Sequence, residues 1–312
     1  MKGITFALLL AIAALHVNPV PAAVPVTVRT RIADVKNDPA FAGYGRLLFP
    51  VNSGYYSGST LGDLELTWYN GIVPARTVEI VNTLRERALA GEQVFFPIWS
   101  AAEIKADPRK ADTGLFFFRG RPGAKVAICN AGGGQVFVGA MHDSFPHALE
   151  LSKLGYNAFA LIYRPNVRTA CEDLARAIAF IHEHAAELKV DPSGYSLWGG
   201  SAGARMAAWL GSLGTERFGQ KEYPRPAAVI MQYTALSDVY GTEPPTYNCV
   251  GTADWIAPWE TMQERIERIR AHGMDTELEV FEGLPHGFGL GEKTAAEGWL
   301  KRAAAFWIRH AK

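Results

Sequence analysis

From about residue 94 onward the chain predicts a three-layer α/β fold, with a mostly parallel twisted central sheet and helices on both faces. Three observations predict it: short apolar runs, amphipathic segments alternating with them, and a Gly-rich turn joining one such run to one such segment. The runs are 94–98, 115–118, 125–129, 158–163, 195–198, 227–232, 246–250 and 277–281. Several are apolar throughout, as strands buried on both faces of a parallel sheet must be. Between them, Leu174, Ala177, Ile178, Ile181, Ala185 and Leu188 recur at three- and four-residue steps, and so do Trp259, Met262, Ile266 and Ile269. That spacing puts one apolar stripe on each helix. The second helix is expected to stop at Gly273, a C-terminal cap. Strands alternating with helices imply right-handed crossovers, hence helices on both sides of the sheet.

The chain before residue 94 reads differently. Residues 1–23 open with Met1-Lys2, continue with an apolar run over 4–15 and close on Pro19, Pro21, Ala22 and Ala23, the pattern of a cleaved secretory signal. The run is shorter than the roughly 20 apolar residues a spanning helix needs. Export to the periplasm or the medium, with no stable membrane insertion after cleavage, is the expectation. Residues 24–93 mix polar and apolar positions with turn signals such as Asn52-Ser53-Gly54, and hold one expected helix over 77–89. They are expected to form an arm or lid packed on the core, leaving 94–312 as the catalytic domain.

Charge and cysteines exclude several classes of function. Basic and acidic residues balance at 31 each, which argues against nucleic acid or an anionic membrane surface as partner. Cys129, Cys171 and Cys249 are an odd number without C-x-x-C spacing and with apolar neighbours, so buried thiols are expected rather than a disulfide framework. No H-E-x-x-H or comparable carboxylate–imidazole cluster is present, so no metal site is expected.

The turn at 199–203 carries the chemistry. Tyr195-Ser196-Leu197-Trp198 runs into Gly199-Gly200-Ser201-Ala202-Gly203, and a helical stretch over 205–210 follows. A serine at the apex of a strand-to-helix turn needs neighbours almost free of side chain, and the tight turn exposes its hydroxyl. Such a hydroxyl is a weak nucleophile until a base, an orienting carboxylate and oxyanion donors surround it. Among eight histidines, His286 is best placed as base, in the Gly/Pro-rich loop after the last expected strand. His142 precedes the serine, beside a glycine-rich loop, and suits a contact to the substrate's alcohol side. Asp254, after the expected strand 246–250, is the favoured acid, with Asp238 the alternative. Gly132-Gly133-Gly134, after the expected strand 125–129, leaves backbone N–H groups unobstructed. The N–H of Ala202, immediately after the nucleophile, is the expected second donor site. Among the aromatics Phe137, Phe145, Trp198, Trp255 and Phe288, Trp198 and Trp255 are candidate substrate contacts. There is no G-x-G-x-x-G or G-K-[ST], so nucleotide binding is not expected.

The ordered set Gly132-Gly133-Gly134, Tyr163-Arg164, Gly199–203, Asp254 and His286 resembles the α/β-hydrolase superfamily, in its secreted esterase/lipase-like branch related to acetylxylan and feruloyl esterases. The resemblance implies nucleophile Ser201, acid Asp254, base His286, oxyanion donors at Gly133, Gly134 and Ala202, no cofactor, and hydrolysis of short-chain acyl or aromatic esters through an acyl-enzyme. Two positions depart from the pattern. Ala131 stands where many relatives of that branch have His, and Gly200 precedes the nucleophile. A prolyl-oligopeptidase-like peptidase is a second enzyme reading, although no propeller-like repeats precede the domain. A non-catalytic binding protein on the same fold is a third.

Overall fold

Residues 25–69 and 71–312 are described by a computed structural model. The signal-like run 1–23 lies outside them. In chain order the arm contributes α1 (Ile32–Lys36), an antiparallel two-stranded ribbon of β1 (Tyr56–Ser57) and β2 (Glu65–Leu66), and α2 (Pro74–Leu89). Next come β3 (Phe95–Phe96), α3 (Ala101–Ala106), β4 (Gly114–Phe118), β5 (Lys125–Asn130), α4 (Ala140–Asp143), α5 (Phe145–Lys153), β6 (Asn157–Ile162), α6 (Val167–Glu183) and α7 (Ala185–Leu188). The chain finishes with β7 (Asp191–Gly200), α8 (Ala202–Leu213), β8 (Ala228–Gln232), β9 (Thr246–Gly251), α9 (Trp259–Ala271), β10 (Thr276–Phe281) and α10 (Trp299–His310).

Strands β3 to β10 form one eight-stranded sheet in the order β3-β4-β6-β5-β7-β8-β9-β10. β4 runs antiparallel to both β3 and β6, and every other neighbour is parallel. The apolar runs form strands for the reason expected. β4, β6, β8 and β9 are buried at every residue, covered on both faces, whereas β10 closes the edge and is half-exposed. Phe117 stacks on Phe159 with ring centroids 4.1 Å apart, tying antiparallel β4 to β6. Burying a side chain of that size contributes roughly 1.5–3 kcal/mol. Cys129, Cys171 and Cys249 are buried, unpaired thiols.

The connections β5–α5–β6 and β6–α6–β7 travel in opposite directions along the sheet, so right-handed crossovers place α5 and α6 on opposite faces. α10 shares the α5 face, where Trp299 meets His147 at 5.6 Å.

Several helices differ from expectation. The stripe over 174–188 is two helices, because the chain leaves helical geometry at His184 (φ −110°, ψ 16°) before α7. The helix expected over 77–89 begins earlier, at Pro74, where a fixed φ and a missing N–H suit the first turn. α5 was not expected: Phe145, Pro146, His147, Ala148, Leu149 and Leu151 are all buried, so it has no clean polar face to give it away. α10 was not expected either, although Trp299, Leu300, Ala303, Ala304 and Trp307 make a regular apolar stripe.

The arm is continuous with the main core. Val35, Phe41, Leu47, Leu48, Leu61 and Leu64 are buried in the same cluster as the sheet, and Tyr44 stacks on Phe95 at 5.0 Å. Its residues 62–69, 71 and 72 reach the carboxyl ends of the strands.

Candidate active site

The strand order reverses around β5, so the loops leaving β5 and β7 diverge and open a crevice at the carboxyl ends of two adjacent strands. Asn130 pairs with Gly199 at that end. A Cβ at Gly203 would lie 2.0 Å from the Asn130 carbonyl oxygen, and one at Gly199 would lie 2.3 Å from Gly203, so helix α8 can meet the strands this closely only through glycine. Ser201, between them, sits at φ 50° and ψ −116°. That region is costly for a residue with a side chain. Three other non-glycine residues with positive φ surround the same crevice: Trp68 (68°), Gln135 (59°) and Tyr233 (33°).

Ser201, His286 and Asp254 come together from the ends of β7, β10 and β9. His286 Nε2 lies 3.1 Å from Ser201 Oγ, and His286 Nδ1 lies 2.8 Å from Asp254 Oδ2. The ionised carboxylate can only accept, so Nδ1 carries the proton and Nε2 presents its lone pair to the serine hydroxyl. Asp254 Oδ1 is taken by the N–H groups of Ile256 (2.9 Å) and Ala257 (2.8 Å). Those bonds fix the carboxylate in a turn. Asp254 lies in the turn before α9, which begins at Trp259. Asp238 lies elsewhere, accepting from Trp209 Nε1 at 3.3 Å.

The glycine loop lies against the serine. A Cβ at Gly132 would come within 2.8 Å of Ser201 Cβ and 2.4 Å of the Tyr69 hydroxyl. Among the described residues no group accepts the N–H of Gly133, Gly134 or Ala202. The Tyr163 hydroxyl donates to the Ala131 carbonyl at 2.7 Å and braces the loop from behind. Arg164 is spent on Asp173 and Asp107.

Trp198 and His142, both expected as substrate contacts, are hydrogen-bonded within the protein. Trp198 is buried in the core, its Nε1 donating to Ser196 Oγ at 2.7 Å, because its position in β7 points it under the sheet. His142 is buried in α4, and its Nε2 donates to the Gly287 carbonyl at 2.6 Å. It pins the His286 loop and borders the smaller cavity beside Met141 and Phe288 rather than the cleft beside Trp255. The Gly289 carbonyl of that loop is held as well, by Gln232 Nε2 at 2.9 Å and Trp299 Nε1 at 3.1 Å. Phe137 and Phe145 are core residues, and Phe288 is half-buried.

Trp255 is 78% exposed and lines a cleft of about 640 Å³ together with His286, Trp68 and residues 62–66 of the arm. Trp68 escaped the sequence reading. Its ring covers Gly134, where a Cβ would lie 2.7 Å from Cζ3. The carboxylates Asp63 and Glu65 stand in the same wall, and no Lys or Arg lines this cleft. A second, more apolar cavity of about 240 Å³ lies beyond Ile72, among Met141, Leu284 and Phe288. Among the described residues no group of three or more His, Cys, Asp or Glu side chains could hold a metal ion.

The base loop depends on a neutral histidine behind it. His147 Nε2 donates to Gln232 Oε1 at 2.7 Å, which orients the Gln232 amide toward Gly289. Burial pushes the His147 imidazole down to about 4 from the ordinary 6.5, and the His142 imidazole is lowered for the same reason. The unfolded chain therefore takes up a proton below pH 6.5 that folded His147 refuses until about pH 4. Stability from this residue is fully present above pH 6.5 and is lost as the pH falls toward 4. Between pH 7 and 4.5 the wild type should lose about 2 kcal/mol more unfolding free energy than His147→Gln. Urea titrations at both pH values measure it, and equal losses would refute the assignment.

Known proteins share this fold. The family model described as BD-FAE matches residues 122–253, a span with the glycine loop and Ser201 but ending one residue before Asp254. No curated protein matches the chain in sequence. Among solved structures, propionate-bound esterase 2 of the planctomycete Thermogutta terrifontis superposes with a TM-score of 0.55 at 23% identity, over 69% of this chain and 93% of that one. This chain has the α/β-hydrolase fold. MGS-M1, an α/β-hydrolase enzyme from a Medee basin deep-sea metagenome library, matches it with a TM-score of 0.54 at 21% identity, over 64% of this chain and 93% of its own. The Thermogutta esterase phosphorylated by paraoxon matches with a TM-score of 0.55 at 24% identity, over 69% and 93% of the two chains. At such identities the likeness shows the fold, and the chemistry of this α/β-hydrolase has to be argued from its own residues.

Proposed function

We propose that this α/β-hydrolase is an exported serine carboxylesterase acting on short-chain acyl or aromatic esters, with acetyl or feruloyl groups on plant polysaccharide as a natural substrate class. The observation that carries the reading is the continuous relay Ser201 Oγ–His286–Asp254, at 3.1 and 2.8 Å. Ser201 Oγ attacks the ester carbonyl while its proton passes to His286 Nε2. Asp254 stabilises the imidazolium, and the N–H groups of Gly133, Gly134 and Ala202 take the oxyanion. As the intermediate collapses, His286 returns the proton to the departing alcohol. Water then repeats the sequence on the acyl-enzyme, with His286 as base.

The cleft supports a ring-bearing substrate. Trp68 and Trp255 offer half-open and open indole faces on the His286 side. Stacking on such a face is worth about 0.5–1.5 kcal/mol, a factor of roughly 2–10 in KM. The p-nitrophenyl acetate, butyrate and octanoate series should show kcat/KM falling with chain length. Trp255→Ala should raise KM for methyl ferulate several-fold while changing KM for ethyl acetate little. Unchanged KM for both would remove the aromatic subsite, and no ester turnover at all would remove the esterase reading. The signal-like residues 1–23 support export, which cell fractionation tests.

A further inference from the structure

A buried carboxylate with no part in the proton relay stands between the glycine loop and the nucleophile turn. Asp143 Oδ2 accepts the Gly132 N–H at 2.6 Å and the Tyr69 hydroxyl at 3.0 Å, and Oδ1 accepts the Tyr233 hydroxyl. Burying a carboxylate is costly unless donors surround it. Here they come from three separate places: the glycine loop, the arm and the end of β8. Burial, reinforced by the Asp143 charge, raises the Tyr69 and Tyr233 hydroxyls well above the ordinary tyrosine value, so both stay protonated and able to donate.

Each donor leads back to the reacting groups. Gly132 is the residue whose Cβ would crowd Ser201. Tyr233 sets its ring edge against the His286 imidazole at 5.0 Å and follows Gln232, whose carbonyl takes the Ser201 N–H at 3.0 Å. Tyr69 follows Trp68, which covers Gly134. A Cβ at Gly200 would lie 2.3 Å from Asp143 Oδ1, so the glycine before the nucleophile is where this carboxylate fits.

Resting on the esterase reading, we propose that Asp143 is the positioning residue of the oxyanion site, holding Gly132 so that the N–H groups of Gly133 and Gly134 face the Ser201 adduct, and that Tyr69 makes the arm a working part of that site. Asp143 itself touches no substrate.

The test compares ester turnover with affinity for a trifluoromethyl ketone. Ser201 Oγ bonds to the ketone carbon, the serine proton passes to His286, and the former carbonyl oxygen becomes an oxyanion, so Ki reads stabilisation of that charge. Asp143→Ala should lower kcat/KM by about 100-fold and raise Ki by about the same factor, with KM within about threefold of wild type. Asp143→Asn keeps an acceptor for the Gly132 N–H and should recover about tenfold over Asp143→Ala. Tyr69→Phe should lose about tenfold in kcat, and it decides the matter should Asp143→Ala fail to fold. A wild type active on esters, with kcat/KM and Ki of Tyr69→Phe and of every folded Asp143 variant unchanged, would overturn this inference alone. A wild type that neither hydrolyses esters nor binds the ketone would overturn the esterase reading and this inference with it.

Discussion

Ser201→Ala is expected to lower kcat on p-nitrophenyl acetate by on the order of 10⁶-fold, with KM little changed. The size follows from what is removed. The hydroxyl is the group that meets His286 Nε2 at 3.1 Å, so its loss removes the proposed acyl-enzyme path and not merely a favourable contact. Binding is spared because the walls of the cleft, Trp68, Trp255 and residues 62–66, do not depend on that oxygen. The open N–H groups of Gly133, Gly134 and Ala202 remain, so a residual rate of about 10³–10⁴ over water is expected from the oxyanion site and substrate positioning alone. Purified wild type and variant, compared at matched melting temperature, give the result. Turnover in the variant within tenfold of wild type would remove Ser201 as nucleophile, and with it the proposed mechanism.

Asp254→Asn is expected to cost about 10⁴-fold in kcat without loss of fold. Both carboxylate oxygens have fixed tasks. Oδ1 accepts two backbone N–H groups, from Ile256 and Ala257, and Oδ2 accepts the proton on His286 Nδ1. In the variant the amide oxygen must stay with the two N–H donors, because an NH₂ placed there would face donors. The NH₂ then points at His286 Nδ1 and forces the imidazole to carry its proton on Nε2. An Nε2–H cannot take the serine proton, although every heavy atom is in place. Asp238→Asn is the control, since its carboxylate lies beside Trp209 and should leave kcat within about twofold. Loss in Asp238→Asn with activity retained in Asp254→Asn would reverse the assignment of the acid.

How far the chain can be read without its structure depends on whether the informative contact is local. β4 and β6 are legible because strands covered on both faces are apolar at every position, and that pattern survives in the linear sequence. Ser201 is legible because the glycines that permit its φ of 50° are its immediate neighbours. Asp254 and His286 are legible because successive parallel strands deliver their carboxyl-terminal loops to one edge, so chain order nearly dictates which loops meet. Local patterns misled where burial was complete. α5 shows no polar face, and Trp198 and His142 are polar-tipped residues near the site that turned out to be satisfied inside it.

The sequence by itself determined the layered sheet, the order of its strands along the chain and the three side chains that meet at 3.1 and 2.8 Å. Only the tertiary structure decided how the oxyanion loop is held and what walls the cleft. Asp143 meets Tyr69 across 74 residues and Tyr233 across 90, and Trp68 covers Gly134 from an arm whose own sequence shows mainly turns. No periodicity or spacing encodes such pairs. They exist because a carboxylate taken out of water must find donors, and the donors within reach are set by which surfaces fold against one another.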